Sequence, residues 1–156
     1  MTDVVRADPG DLARLIALMT EFYAEADFTL DPARAAAAFQ PLLDGHGLGQ
    51  VWLLRADGTA VGYVALTFCW SLEFGGRCAY MDDLFVRRDF RRHGLGTAAM
   101  QRVRAECEAL GVRAIHVEVA HDNDAAQSVY RAAGLDQVDR QLLTLPLAVP
   151  THEGRP

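Results

Sequence analysis

A basic stretch with two glycines, Arg91 to Thr97, lies between a strand-like run and a helix-like run. Upstream, residues 78–86 end in the apolar Leu84-Phe85-Val86 and predict a strand. Downstream, apolar residues recur at helical spacing over residues 95–110, which predicts a helix. The chain therefore predicts a strand, a glycine loop and a helix in direct succession, an order that is common to several kinds of phosphate-binding loop.

This loop has the composition of an anion-binding site. Glycines at the start of a helix let backbone N–H groups approach an anion, and the positive end of the helix dipole favours phosphate there. Arginine and histidine side chains add donors, and each charge-assisted hydrogen bond contributes about 1.5–3 kcal/mol. We therefore predict a pyrophosphate site formed by Arg91, Arg92, His93, Gly94, Leu95, Gly96 and Thr97.

Two common nucleotide loops fit the stretch poorly. A Walker loop needs a lysine after its glycine, and all 15 basic residues of this chain are arginines. A dinucleotide-binding fingerprint accepts Ala99 in its third glycine position, but its first glycine should follow the strand directly. Here the charged run over residues 87–93 intervenes, which argues against both.

The stretch resembles motif A of the GNAT superfamily of acyl-CoA N-acyltransferases, which reads Arg/Gln-x-x-Gly-x-Gly/Ala. Arg91, Gly94 and Gly96 fill its three fixed positions. The family's second pattern, Asn-x-x-Ala-x-x-x-Tyr-x-x-x-Gly-Phe, also matches, with leucine in place of the final phenylalanine; its matching residues are Asn123, Ala126, Tyr130, Gly134 and Leu135. The resemblance covers roughly residues 63–145 well and the N-terminal third in outline.

The resemblance implies an α/β fold with a central mixed, mostly antiparallel sheet of six to seven strands and about four helices. Two parallel central strands would splay at the CoA site. We expect one domain over residues 1–147 and a flexible tail over residues 148–156. The local signals predict helix starts at Asp8-Pro9 and Asp31-Pro32, a hairpin at Asp57-Gly58, and strands over residues 114–119 and 139–147.

Composition narrows the function further. The chain has 156 residues, of which 51% are hydrophobic, with no apolar run approaching 18 residues and no leader-like start, so we expect a soluble cytoplasmic protein. Its three cysteines lack metal-site spacing, which predicts reduced core thiols and no metal. A net charge of −6 argues against nucleic acid and suits a cationic acceptor, although most acidic surfaces are simply solvating.

Acyl transfer to an amine requires control of two protons. An alkyl amine with a pKa near 10.4 is mostly protonated at pH 7, and its neutral form costs roughly 4–5 kcal/mol. Tyr130 matches the tyrosine that the family often uses as general acid toward the CoA sulfur, because a phenol can donate a proton or a hydrogen bond to a departing thiolate. The alternative is a core tyrosine at the centre of a helix.

Asp82 and Asp83 are the candidates for the group that takes the proton of the amine. Strand alternation places one set of residues on one face, namely Tyr80, Asp82, Leu84 and Val86, and the other set opposite, namely Met81, Asp83 and Phe85. The resemblance implies that Asp82 faces the acceptor, as a base acting through water or as a binder of a cation. Polar capping or pairing with arginine is the alternative for Asp82, and we expect Asp83 to make a structural hydrogen bond under the sheet.

The pantetheine arm would be held by backbone groups of Leu84, Phe85 and Val86 where the strands splay. The resemblance adds Asn123, Ala126 and Tyr130 to this part of the cofactor site, although Asn123 is equally suited to cap a helix. The acceptor cleft could be lined by residues for which ordinary packing is at least as good an explanation, namely Glu21, Tyr23, Glu25, Phe28, Trp70, Glu73 and Phe74.

The resemblance implies an acetyl-CoA-dependent N-acetyltransferase that acts on the primary amine of a small molecule, in a ternary complex. Two alternatives stay open: a protein or peptide N-acetyltransferase, and a non-catalytic acyl-CoA-binding sensor module. Family habit also suggests a homodimer, with no nucleic-acid or membrane partner. The sequence leaves the acceptor and the length of the acyl chain undetermined.

Overall fold

A computed structural model of the chain describes residues 1–147; the tail predicted over residues 148–156 lies outside them. The strands are β1 (Thr2–Arg6), β2 (Gly49–Ala56), β3 (Thr59–Ser71), β4 (Gly76–Val86) and β5 (Ile115–Val117). The helices are α1 (Leu12–Ala24), α2 (Pro32–Leu43), α3 (Leu95–Ala109) and α4 (Asp124–Ala132), and short 3₁₀ turns cover Pro9–Asp11 and Arg88–Phe90.

The strands form one sheet in the order β1-β2-β3-β4-β5, in which β4 and β5 are parallel and the other neighbours antiparallel. The mixed, mostly antiparallel sheet and the four helices are therefore confirmed. The described chain has five strands rather than six to seven, so β5 lies at the edge of the sheet and the parallel pair is not central.

The strand expected over residues 139–147 is absent from the described chain, whose last residues form no regular secondary structure. Alternating leucines suggested a strand, but Leu143 and Leu145 are 87% and 80% exposed, so no core face covers them. Pro146 also removes one donor that a sheet ladder would need. Alternation predicts a strand only where a neighbouring strand or a core face supplies the partner.

Local signals account for the N-terminal elements as predicted. Asp8 caps the turn that leads into α1 by accepting from the Gly10 N–H at 2.7 Å, and Asp31 caps α2 by accepting from the Ala33 N–H at 3.0 Å. Asp57 and Gly58 have φ values of 48° and 78°, the positive values that a tight hairpin turn requires. These predictions are confirmed.

The sheet separates two apolar clusters. Helices α1 and α2 cover one face through Leu15, Leu18 and Phe39, which pack with Tyr63 and Phe85 of the sheet. Helices α3 and α4 cover the other face, with a cluster that includes Trp52, Leu66, Met81, Leu95, Met100, Val103 and Tyr130. Of the cysteines predicted to be core thiols, Cys78 and Cys107 are buried, but Cys69 is exposed near the end of β3, so that prediction is wrong for Cys69.

A β-bulge at Asp82 changes the alternation along β4. Ala65 pairs with Asp83 while the next residue of β3, Leu66, pairs with Met81, so Asp82 is the extra residue of β4. Met81 consequently packs on the α3 side together with Leu84 and Val86. The prediction that Asp82 shares a face with Leu84 and Val86, opposite Met81, is therefore wrong, because strict alternation does not survive a bulge.

The bulge coincides with the point where β4 and β5 separate. Parallel pairing joins Ala79 to Ile115 and Met81 to Val117, which is the last residue of β5, while β4 continues five residues further to Val86. A gap therefore opens between the end of β4 and the segment that leads from β5 into α4, as the predicted splay requires.

Candidate functional site

The N-terminus of α3 is arranged to receive an anion. Gly94 is its N-cap residue, with a φ of 82° that favours glycine, and within residues 1–147 no side chain caps this helix start. The first-turn N–H groups of Leu95, Gly96 and Thr97 have no acceptor inside the helix, because each would need a carbonyl four residues earlier. Uncapped donors at the positive end of a helix fit a pyrophosphate group.

Helix α4 packs directly on this first turn. A methyl group added at Gly96 would lie 3.6 Å from Cγ2 of Val129, which is ordinary van der Waals contact. Tyr130, the next residue of α4, belongs to the same buried cluster as Leu95. The two sequence patterns, far apart in the chain, are thus brought together in space.

Arg91 points away from the helix start. Its Nε donates to the Val86 carbonyl oxygen at 2.7 Å, and its Nη2 donates to both carboxylate oxygens of Glu25, at 2.7 and 2.6 Å. Its backbone N–H donates to the Arg88 carbonyl oxygen at 3.2 Å. Arg91 therefore ties the loop to the end of α1, whereas Arg92 and His93 are exposed beside Gly94.

Tyr130 is buried, with 8% of its surface exposed. Desolvation by burial, and secondarily the charge of Asp83, raise the pKa of Tyr130 to about 12. Its hydroxyl is therefore protonated at neutral pH and can act as a hydrogen-bond donor, the state that the predicted role requires.

Asp83 makes the predicted structural hydrogen bond on the face of the sheet that α1 and α2 cover: the hydroxyl of the buried Tyr63 donates to Oδ2 of Asp83 at 2.7 Å. Burial, together with the charge and hydrogen bond of Asp83 and lesser charge effects that include Asp82, raises the pKa of Tyr63 well above its usual range. The negative charge of Asp83 also contributes, after burial, to the raised pKa of Tyr130. Asp82 is exposed on the bulge next to it.

The end of β4 presents its backbone groups in two directions. The Arg87 N–H donates to the Val61 carbonyl oxygen of β3 at 2.8 Å. Because alternate residues of an antiparallel strand direct their backbone groups to the same neighbour, the backbone groups of Phe85 also point toward β3. The backbone groups of Leu84 and Val86 point toward the gap, where Nε of Arg91 donates a hydrogen bond to the Val86 carbonyl oxygen. Of the three residues predicted to hold pantetheine, Leu84 has the most suitable backbone position.

Asn123 caps α4: its Oδ1 accepts from the Ala126 N–H at 3.1 Å. The capping role weighed from the sequence is therefore present. Asn123 is exposed and Ala126 half-buried at the start of α4, on the segment that follows the gap.

Three aromatic rings that sequence reasoning did not group together lie on the face of β4 and β5 opposite α3. The rings of Tyr80 and His116 are 5.0 Å apart, and those of His116 and Phe74 are 5.6 Å apart. Tyr80 and His116 are partners in the parallel register. The sequence contained one indication of this arrangement. His116 lies between the apolar Ile115 and Val117 in β5, so strand alternation directs it away from the cluster that α3 covers.

The residues proposed from sequence for the acceptor cleft are dispersed. Glu21 and Glu25 are paired with Arg87 and Arg91, and Glu73 is paired with Arg140. Trp70 is 73% exposed near the end of β3. The rings of Tyr23 and Phe28 pack edge to face, with their centroids 6.2 Å apart.

The comparison with known families identifies the class of protein. Residues 12–135 match the Acetyltransferase (GNAT) family, so the chain belongs to that family. An uncharacterized N-acetyltransferase of Methanocaldococcus jannaschii is 28% identical over 97 residues, which cover 55% of this chain and 43% of that protein. The match therefore spans less than half the length of this curated relative.

Solved structures share the whole architecture. An integron cassette protein from the mobile metagenome of the Cole Harbour salt marsh is 43% identical, with a TM-score of 0.87 over 96% of this chain and 93% of that one. The aminoglycoside N-acetyltransferase AAC(6')-Iy, in complex with the bisubstrate analogue CoA-S-monomethyl-acetylneamine, superposes with a TM-score of 0.78 over 95% of this chain and 99% of that one. At 17% identity, that second likeness concerns the fold.

In the part of the chain that the structure describes, no cluster of three or more histidine, cysteine or acidic side chains could hold a metal ion. None of the helices of residues 1–147 is long and apolar enough to cross a bilayer.

Proposed function

We propose that this protein is an acetyl-CoA-dependent N-acetyltransferase whose acceptor is the primary amine of a small molecule. The observation that carries the proposal is the uncapped start of α3 behind Gly94, at the end of a strand that separates from its parallel neighbour. Membership of the acetyltransferase family and a fold shared with an aminoglycoside acetyltransferase support it. Cytoplasmic location and a homodimer stay predictions from the sequence.

The residues fit acetyl-CoA as a co-substrate, which supplies an acetyl group activated as a thioester. The N–H groups of the first turn of α3 bind the pyrophosphate, with Arg92 and His93 beside it. The backbone of Leu84 binds the pantetheine arm in the gap between β4 and β5, so that the thioester lies within reach of Tyr130.

The chemistry requires one bond to form and one to break. The amine nitrogen attacks the thioester carbonyl carbon, and the carbon–sulfur bond breaks. Asp82 holds the ammonium form of the acceptor and takes its first proton, directly or through water. The second proton that the nitrogen loses as the amide forms passes to the departing sulfur, which leaves as the CoA thiol while Tyr130 donates a hydrogen bond to it. Asp83 holds Tyr63 and is not the base, since it is bound under the sheet.

The test is calorimetric titration of the full chain with acetyl-CoA, followed by an assay of thiol release with a panel of amines. The panel contains aminoglycosides, polyamines, free amino acids and peptides with free N-termini. Micromolar binding and turnover of a small amine support the proposal. Faster turnover of peptides would favour a protein acetyltransferase, and binding without turnover of any amine would favour a sensor module.

A matched control separates loss of the site from loss of the fold. Gly94→Val places a β-branched residue at a φ of 82°, where side chains are strained, and it should abolish binding. Leu110→Val, at the opposite end of α3 and 39% exposed, should bind as the wild type does. Absence of binding by a folded wild-type protein would refute the proposed function.

A further inference from the structure

Two arginines of the loop that joins β4 to α3 are bound by Glu21 of α1 and by Glu25, the C-cap residue of that helix. Arg87 donates from Nε and Nη2 to Glu21, at 2.7 and 2.6 Å, and from Nη1 to the Ala60 carbonyl oxygen at 3.0 Å. Arg91 donates from Nη2 to Glu25, at 2.7 and 2.6 Å. Glu21 and Glu25 are four residues apart and therefore lie on one side of α1, facing the loop.

These ion pairs hold the two ends of a short turn. Residues 88–90 form the 3₁₀ turn between the two arginines, where Arg88 and Asp89 are exposed and the half-buried Phe90 packs against the cluster that includes Leu95. The hydrogen bond from Arg87 lowers the pKa of Glu21, as expected for a carboxylate held in its charged form.

The residue after the second ion pair has a strained backbone. Arg92 has a φ of 64°, in the left-handed region where a side chain crowds the backbone. Such a conformation persists when the surrounding contacts hold it. Arg92 is itself exposed, so the bonds made by its neighbour Arg91 are the nearest available restraint. The strained residue leads directly into His93 and Gly94 at the start of α3.

We propose that Glu21 and Glu25 hold the anion-binding loop in its binding conformation through Arg87 and Arg91, and that Arg91 is a positioning residue rather than a phosphate ligand. The proposal rests on the proposed function, in which this loop receives the pyrophosphate of acetyl-CoA. It makes α1, which is distant in sequence, a determinant of co-substrate affinity.

The test is the affinity of the full chain for acetyl-CoA, measured by calorimetry, in a Glu25→Gln variant. Glutamine keeps the shape of the side chain but removes the charge that holds Arg91. We expect the dissociation constant to rise about fivefold, the upper end of the loss typical of a partly exposed ion pair. The KM for acetyl-CoA should rise similarly while kcat is unchanged, since the chemical step does not involve this pair.

Glu108→Gln is the matched control. Glu108 accepts a hydrogen bond from Arg104 at 2.8 Å on the far part of α3, so the variant also loses one exposed ion pair and one negative charge. Its affinity for acetyl-CoA should equal that of the wild type. Equal weakening by both variants would mean that net charge, and not the position of the loop, controls binding.

A second-site variant tests the role of strain. Arg92→Gly removes the side chain that crowds the left-handed backbone and keeps the backbone N–H group. In the Arg92→Gly background, the additional change Glu25→Gln should weaken binding less than about twofold. An undiminished effect in that background would overturn the link between the ion pair and the strained residue. Thermal unfolding of each variant verifies that it is folded.

Failure of the inference can be told from failure of the proposed function. If wild-type protein binds acetyl-CoA and Glu25→Gln binds it equally well, the positioning role is refuted and the proposed function stands. If folded wild-type protein does not bind acetyl-CoA, both are refuted together.

Discussion

Replacement of Tyr130 by phenylalanine isolates the hydroxyl group at the centre of the proposed chemistry. Tyr130 is buried in the cluster under α3 and α4, and phenylalanine fills the same space apart from one oxygen atom. The variant should therefore fold and bind acetyl-CoA as the wild type does. Any loss of turnover can then be attributed to the missing donor.

The size of the loss follows from the pKa of the phenol. Burial and Asp83 raise the pKa of Tyr130 to about 12, whereas a thiol has a pKa of about 8.5. Complete proton transfer from Tyr130 to the departing thiolate would be uphill by about 5 kcal/mol, which corresponds to about 3.5 pKa units. Tyr130 should therefore act by hydrogen bonding, which contributes about 1.5–3 kcal/mol when the acceptor is charged. The kcat of Tyr130→Phe should fall about 10- to 150-fold.

The assay is the initial rate of thiol release at saturating acetyl-CoA and acceptor, measured from pH 6 to about pH 10, with the pH range set by the raised pKa of Tyr130. The rates of the wild type and of Tyr130→Phe should depend on pH in the same way at the alkaline end, because the phenol of Tyr130 stays protonated throughout that range. A kcat within about threefold of the wild type would refute the role of the hydroxyl. An alkaline limb below about pH 9 that disappears in the variant would refute the argument from its pKa.

The other predictions concern stability and the anion loop. Tyr63→Phe removes the donor to Asp83, so the free energy of unfolding should fall by about 2 kcal/mol and the melting temperature by about 4–8 °C, measured calorimetrically; an unchanged melting temperature would show that this bond is not stabilising. Gly62→Ala should lower the free energy of unfolding, measured in urea, by about 3 kcal/mol, because the added methyl group would lie 2.2 Å from the Phe85 carbonyl oxygen. A decrease of less than about 1 kcal/mol would mean that β4 can move away from β3. Gly94→Val should abolish acetyl-CoA binding in calorimetry while the chain stays folded, and retained binding would exclude this helix start as the site.

The bulge on β4 gives two adjacent carboxylates different surroundings. With strict alternation, Asp82 would share a face with Leu84 and would lie opposite Asp83. The extra residue instead leaves Asp82 exposed at the point of strand separation, while Asp83 pairs with Tyr63. The role proposed for Asp82 rests on the family resemblance and stays a prediction.

Features that depend on neighbouring residues were predictable from the sequence. The caps at Asp8 and Asp31 and the turn at Asp57-Gly58 each involve groups a few residues apart, so their geometry follows from residue type alone. The glycine loop before α3 is also a local feature. The family resemblance then implied the mixed, mostly antiparallel sheet and its four helices.

Features that depend on distant residues appeared only once the chain was folded. Glu25 and Arg91 are 66 residues apart, and no local pattern distinguishes an arginine that binds a glutamate from one that binds a phosphate. The bulge at Asp82 arises from the pairing of β4 with β3. Residue type limits what a side chain can do; the contacts that tertiary folding supplies decide which of those possibilities it takes.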